Sequence, residues 1–413
     1  MLKALHTRLT ANAPAPIRIL VNILFLPYFI FRFFKIVNSF IEEESGVHLL
    51  DEDTLCAQLR IDFVEDDPIS VKLEKLSANA IALVDAKDWD GLEAFLAQPE
   101  LQQPHTIGVT YMNNIASDVW EHVSEPYLIL SREHPAAEHA VPDNILAPLI
   151  AATNDGQNPQ ICFLVVDLLV FLGWGKWGGA FAKSTDYDPE IAQGDICKLA
   201  QSLLLELPES THDTAQFRRA EFLTRAGVAS TAETMTAYAK WQSVAPESLE
   251  AYRMLALALL PQTTGDAELY VDMSEDVFER SKAKTKAAGY AVYALTAAMS
   301  DEDDRYRGFD IARLVDGIGD LIDMSQDRDV AVNLLCGMLY FLSMEEGDIW
   351  GDEPDHQRHV HHELRELFEK LVRTELRVAY PTWWDNDART LIYALAEVYE
   401  AEITAGETIQ FGH

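Results

Sequence analysis

Apolar positions recur at helical spacing along most of this chain. They are punctuated by Pro, Gly and capping residues, with no convincing run of the alternation that marks strands. The first clear hairpin spans 70–98. VKLEKLSANAIALVDAK repeats apolar positions, the chain turns at Asp88, Asp90 with Glu93 three residues later reads as a capping box, and Pro99 ends the second helix. Helical runs follow around 107–131, 143–153 and 160–173, and Asp188-Pro189 opens another, since Pro at the first helical position loses no hydrogen bond. Within 214–260, Ser230 and Glu233 open a helix carrying Tyr238 and Trp241, Pro246 breaks it, and Tyr252, Leu255, Ala256 and Leu259 repeat along the next. Alternating large and small residues of this kind let paired helices nest closely. Further helices are expected over 267–287, 289–299, 309–323, 328–343, 357–378 and 387–403. The resulting class is all-α, built from stacked helical hairpins.

The most hydrophobic segment, residues 17–41, departs from this pattern. Between Arg18 and Arg32 it holds 13 uncharged residues. As a helix these span about 20 Å, against roughly 30 Å of bilayer hydrocarbon. Arg18, Asn22, Tyr28, Arg32, Lys35 and Ser39 fall on one side of that helix, and Pro27 kinks it. The pattern suits a helix lying in a membrane interface. Leu20, Leu24, Phe25, Ile30, Phe33 and Phe34 would sink towards the acyl chains while Arg18, Arg32 and Lys35 meet lipid phosphates. Packing of the same helix into the protein's own core, or into a dimer seam, is the competing expectation, and a spanning helix that pulls Arg32 or Lys35 inward is the third. The organisation read from the sequence is a basic hydrophobic helix at 1–41, an acidic connector at 42–69, a repeat-like domain at 70–300 and a C-terminal helical region at 301–413.

Charge sharpens this division. The chain has 32 basic and 67 acidic residues, a formal net charge of -35, yet residues 1–41 contain Lys3, Arg8, Arg18, Arg32 and Lys35 and no acid. Nucleic acid is a poor partner for so acidic a chain, because that affinity depends on Lys and Arg neutralising phosphates. A protein partner with a basic contact face, and an anionic membrane surface for the N-terminal helix, fit better. The four cysteines, Cys56, Cys162, Cys197 and Cys336, are widely separated and read as buried small hydrophobes, so the expected location is the cytoplasm, peripheral to the inner membrane.

Several constellations invite chemical readings. Gly173, Gly175 and Gly178 have the spacing of a dinucleotide fingerprint, but Trp174 and Trp177 would crowd the phosphate path and no βαβ alternation surrounds them. Close helix packing at a turn is the favoured reading. His356, His359 and His362 lie three apart, near one helical face, flanked by Asp352, Glu353, Asp355 and Glu363. Imidazole with carboxylate suits zinc, nickel or iron, and a metal-dependent hydrolase or metal-binding regulator is the alternative function this cluster supports. His362-Glu363 lacks the second histidine of a metalloprotease helix, so a solvated helix start is the simpler account. The acidic runs at 301–304 and 345–355 do not match a calcium loop. Trp383 and Trp384 read as packing between helices. No catalytic residue and no cofactor is implied.

The runs Leu172 to Ala182 (LGWGKWGGAFA), Ala245 to Ser248 (APES) and Leu257 to Pro261 (LALLP) resemble a bacterial helical family of unknown function, one of the numbered DUF groups related to tetratricopeptide-repeat proteins. The resemblance covers roughly residues 75–300. It implies a tetratricopeptide-like α-solenoid with irregular repeats, which presents an extended surface to a protein partner. The expected function is therefore a non-enzymatic scaffold or protein-binding module, held at a membrane face by its N-terminal helix.

Overall fold

The computed structural model describes residues 47, 50–133, 144–178, 189–260, 267–300, 309–343, 355–384 and 388–411. Residues 17–41 lie outside them, as do the acidic run 301–304 and most of 345–355. Among the described residues the chain forms α1 (Glu52–Gln58), β1 (Leu59–Arg60), β2 (Asp62–Phe63), α2 (Pro68–Ala86), α3 (Trp89–Leu96) and α4 (Tyr111–Glu133). Next come α5 (Ala147–Ala152), α6 (Pro159–Gly178), α7 (Pro189–Glu206), α8 (Ala215–Leu223), α9 (Thr231–Val244) and α10 (Leu249–Ala258). The chain continues through α11 (Ala267–Thr285), α12 (Ala288–Ser300), α13 (Ile311–Met324) and α14 (Arg328–Leu342). It closes with α15 (Asp355–Thr374), β3 (Val378–Ala379), α16 (Ala388–Val398), α17 (Glu400–Thr404) and β4 (Ile409–Gln410). The protein is thus mostly helical.

Local chemistry sets the boundaries. Buried Asp67 caps α2 by accepting hydrogen bonds from the N–H groups of Ile69 (2.9 Å) and Ser70 (3.0 Å), with Pro68 following it. Lys87 ends α2 in the left-handed region at φ 53°. The capping box expected at Asp90 and Glu93 is not formed. Asp88 caps α3 instead, accepting from Gly91 N–H at 3.0 Å, and the Glu93 carboxylate accepts from Gln160 N–H (3.1 Å) and Ile161 N–H (2.9 Å). With α3 capped locally, Glu93 satisfies orphan donors at the start of α6, a tertiary contact that sequence spacing does not encode. The box at Ser230 and Glu233 does form at the start of α9.

Two units divide the chain, Val64–Met338 and the described parts of Met1–Phe63 with Leu339–His413. In the first, residues Ile161 to Val170 of α6 are all buried, and the helix contacts α3, α4, α5, α7 and α8. Consecutive helices pair along the rest of the unit: α8 with α9, α9 with α10, α11 with α12 and α12 with α13. The junction read from 214–260 is well packed. Trp241, Tyr238, Tyr252 and Phe222 are all fully buried, and Tyr252 Oη donates to Gln242 Oε1 or Pro246 O, each at 3.1 Å.

In the second unit β1 pairs in parallel with β4 and β2 with β3. Each strand is two residues long, too short to show an alternating pattern. The helix expected over 387–403 is two, α16 and α17, separated at Tyr399. Trp384 is buried against Tyr340 and Phe368, with ring centroids at 6.4 and 6.0 Å.

Candidate functional site

Within the Val64–Met338 unit, helices α4, α6, α8 and α10 enclose a cleft of about 600 Å³. That volume is in the range that takes a drug-sized molecule. Val109, Val170, Phe171, Leu223, Met254 and Leu257 supply apolar wall, and Asn113, Asn114, Ser117, Asp167, Arg219 and Arg253 the polar part.

The polar part is organised around Arg219 of α8. Its Nη1 donates to both oxygens of Asp167 on α6, at 2.7 and 3.0 Å, and its Nε donates to Glu250 Oε1 on α10 at 2.5 Å. Asp167 and Glu250 are only 3% and 6% exposed, so one guanidinium ties together three helices through charges largely removed from water. Burial alone would lower the pKa of Arg219; the two carboxylates outweigh it and hold the group above its ordinary value, fully protonated. Asn113 completes the clamp. Its Oδ1 accepts from Thr110 N–H and Thr110 Oγ1, both at 2.8 Å, which turns its Nδ2 to donate to Glu250 Oε1 at 2.8 Å. The next residue, Asn114, holds His105 Nε2 at 2.9 Å through Oδ1. Burial pushes the His105 pKa down, so this imidazole is neutral at pH 7.

Between His105 and Thr110 the chain crosses the start of α10 at Gly108. A Cβ there would come within 2.8 Å of the Leu249 backbone, and φ is +71°, so both space and conformation demand glycine.

Arg253 differs from Arg219. It lies one turn beyond Glu250 on α10, lines the cleft, and its Nε is buried with no hydrogen-bond partner among the described residues. Burial lowers its pKa, only partly countered by the charge of Glu250. A guanidinium stays protonated nonetheless. A second, smaller cavity of about 230 Å³, bordered by His105, Glu247, Leu249 and Leu335, contains no comparable buried cation.

The chemistry-bearing residues singled out in the sequence lie elsewhere. The stretch from Gly173 to Gly178 is the C-terminal end of α6, where a dinucleotide site would need a loop between strand and helix. His359 and His362 are exposed on α15, and His362 Nε2 lies 3.3 Å from Glu366 Oε1; the His356 side chain is outside the described residues. Among the described residues no three His, Cys, Asp or Glu side chains are gathered as a metal would require. Cys162, Cys197 and Cys336 are buried, and burial pushes the first two thiols up to about 12 and about 11. These thiols are poor nucleophiles. The membrane-contact residues Arg18 to Lys35 lie outside the described residues, among which no helix is long and apolar enough to cross a membrane.

The clamp residues were missed in the sequence, although one signal existed. Asp167 is a lone acid in the run ICFLVVDLLVFL, and a carboxylate in a fully buried helix requires a counter-charge. No family model matches the chain, and no curated protein or solved structure does either.

Proposed function

We propose that this protein is a helical binding module, a scaffold of stacked hairpins in the manner of a tetratricopeptide-type solenoid, whose recognition site for a partner protein is the cleft between α4, α6, α8 and α10. The observation that carries the reading is the construction of the cleft. Its apolar walls stand on three helices fixed to one another by Arg219, Asp167 and Glu250. Both carboxylates of that clamp are engaged by the guanidinium, which suits them to holding the walls in place. We further propose that residues 17–41 hold the module at an anionic membrane face, on the strength of their basic and apolar pattern.

The cleft is tested by placing a photo-crosslinking amino acid at Met254, which lines it, and irradiating cells that make the protein. A discrete adduct is expected from this position, lost when Leu257→Trp fills the cleft, and absent when the crosslinker replaces exposed Glu209. The same adducts from Glu209, or none from Met254, would remove the cleft as the recognition site.

A further inference from the structure

Arg253 brings a half-buried guanidinium to the cleft wall, with its Nε buried and unsatisfied among the described residues. The sealed Nε leaves the group under-satisfied, and the part of the guanidinium that lines the cleft can donate to an acceptor entering there, a charge-assisted hydrogen bond stronger than a neutral pair gives. Charge decides what kind of acceptor. Asp167 and Glu250 carry two negative charges, Arg219 and Arg253 two positive ones, and the cluster is balanced as it stands. A ligand carboxylate would bring a third acid beside Asp167 and Glu250, on a chain whose net charge is -35. A neutral carbonyl attracts the guanidinium without that repulsion. The walls, Val109, Val170, Phe171, Leu223, Met254 and Leu257, want apolar groups on either side of it. Outside the cleft, a chain whose net charge is -35 favours basic residues.

From these features we infer that the cleft receives an extended segment of a partner protein, with apolar side chains against Val170, Phe171, Met254 and Leu257, a main-chain carbonyl on Arg253, and flanking Lys or Arg residues favoured by the chain's net negative charge. This rests on the cleft being the recognition site and adds the chemistry of what it recognises. Arg253 is then retained for binding at the expense of folding, as functional groups commonly are.

The test uses the full chain and a phage-displayed library of random heptapeptides. Panning is expected to enrich peptides that combine apolar residues with Lys or Arg, and these should bind Arg253→Met at least tenfold more weakly than the unchanged protein. Arg253→Met should melt at or above the temperature of the unchanged protein, because it replaces a half-buried, under-satisfied charge with an apolar side chain of similar reach. Enrichment of acidic peptides, absence of enrichment, or equal binding to Arg253→Met would each overturn the inference. So would a fall in melting temperature large enough to make Arg253 a structural residue. The Met254 crosslink separates the two claims: an adduct that persists in Arg253→Met leaves the cleft as the recognition site and refutes the role of Arg253.

Discussion

Arg219 illustrates how much of this site depends on single charged atoms. It is the shared partner of two acids that the fold has largely desolvated, and removing it leaves Asp167 without its ion-pair partner and Glu250 with the hydrogen bond from Asn113 alone. Breaking a buried ion pair from one side typically costs about 3–5 kcal/mol, while replacing every member with apolar groups of similar volume is often close to neutral. Arg219→Met is therefore expected to lower the urea midpoint by an amount equivalent to about 3–5 kcal/mol. The triple variant Asp167→Leu, Arg219→Met, Glu250→Leu should recover most of that loss, followed by circular dichroism. A single variant as stable as the parent would show that water already satisfies both acids. At this scale the sequence was only half legible. Asp167 inside an apolar run announces that a partner must exist, but Arg219 is 52 residues away and Glu250 a further 31, and no local pattern connects the three. Arg253 carries no signal at all, since a cationic residue on a helix is ordinarily solvated.

Helices were the most legible level, because their signals are contained within a turn or two. Ser230 and Glu233 form the box their spacing announces, and α7 begins at Pro189 as Asp188-Pro189 suggests. Glu93 shows the limit: the same spacing rule assigned it to its own helix, and packing gave it to α6. The strands were invisible for a related reason, since Leu59 pairs with Ile409 and Asp62 with Val378, across most of the chain. Packing also separates two glycines of α13 that look alike in sequence. At Gly317 an added Cβ would stand 2.5 Å from Ala287 O and 2.7 Å from Ala291 Cβ, whereas at Gly319 it would meet nothing within 4 Å. Gly317→Ala should cost about 1–3 kcal/mol, because α12 must move away to admit the methyl group. Gly319→Ala should stabilise by about 0.5–1 kcal/mol through helix propensity alone. Thermal unfolding of the two variants settles this, and equal shifts of one sign would mean that α13 does not rest on α12 through Gly317.

Across the whole chain, the dominant physical fact is the separation of charge between residues 1–41, which carry five basic residues and no acid, and the remainder, which holds all 67 acids. An anionic bilayer therefore attracts one part and repels the other. Each Lys or Arg near such a surface contributes about 1 kcal/mol, an attraction that falls off over a Debye length of about 10 Å at 0.1 M salt. If residues 17–41 bind such a surface, Arg18, Arg32 and Lys35 would together supply about 3 kcal/mol beyond the apolar contribution of the Leu, Ile and Phe residues between them. Long-range repulsion of the acidic remainder is screened by the same salt, so the sign of the salt effect tells which part governs binding. The full chain is expected to float with vesicles containing anionic lipid and not with vesicles of neutral lipid, and to be released as salt rises from 0.05 to about 0.5 M. Changing Arg18, Arg32 and Lys35 to Gln in the intact protein should weaken that binding about 100-fold, the equivalent of roughly 3 kcal/mol. If the unchanged protein ignores anionic vesicles at low salt, or if the triple variant aggregates while the unchanged protein stays unbound, residues 17–41 belong to the protein's own packing and the membrane attachment fails. Binding that strengthens with salt would instead point to apolar insertion, with the basic residues as bystanders.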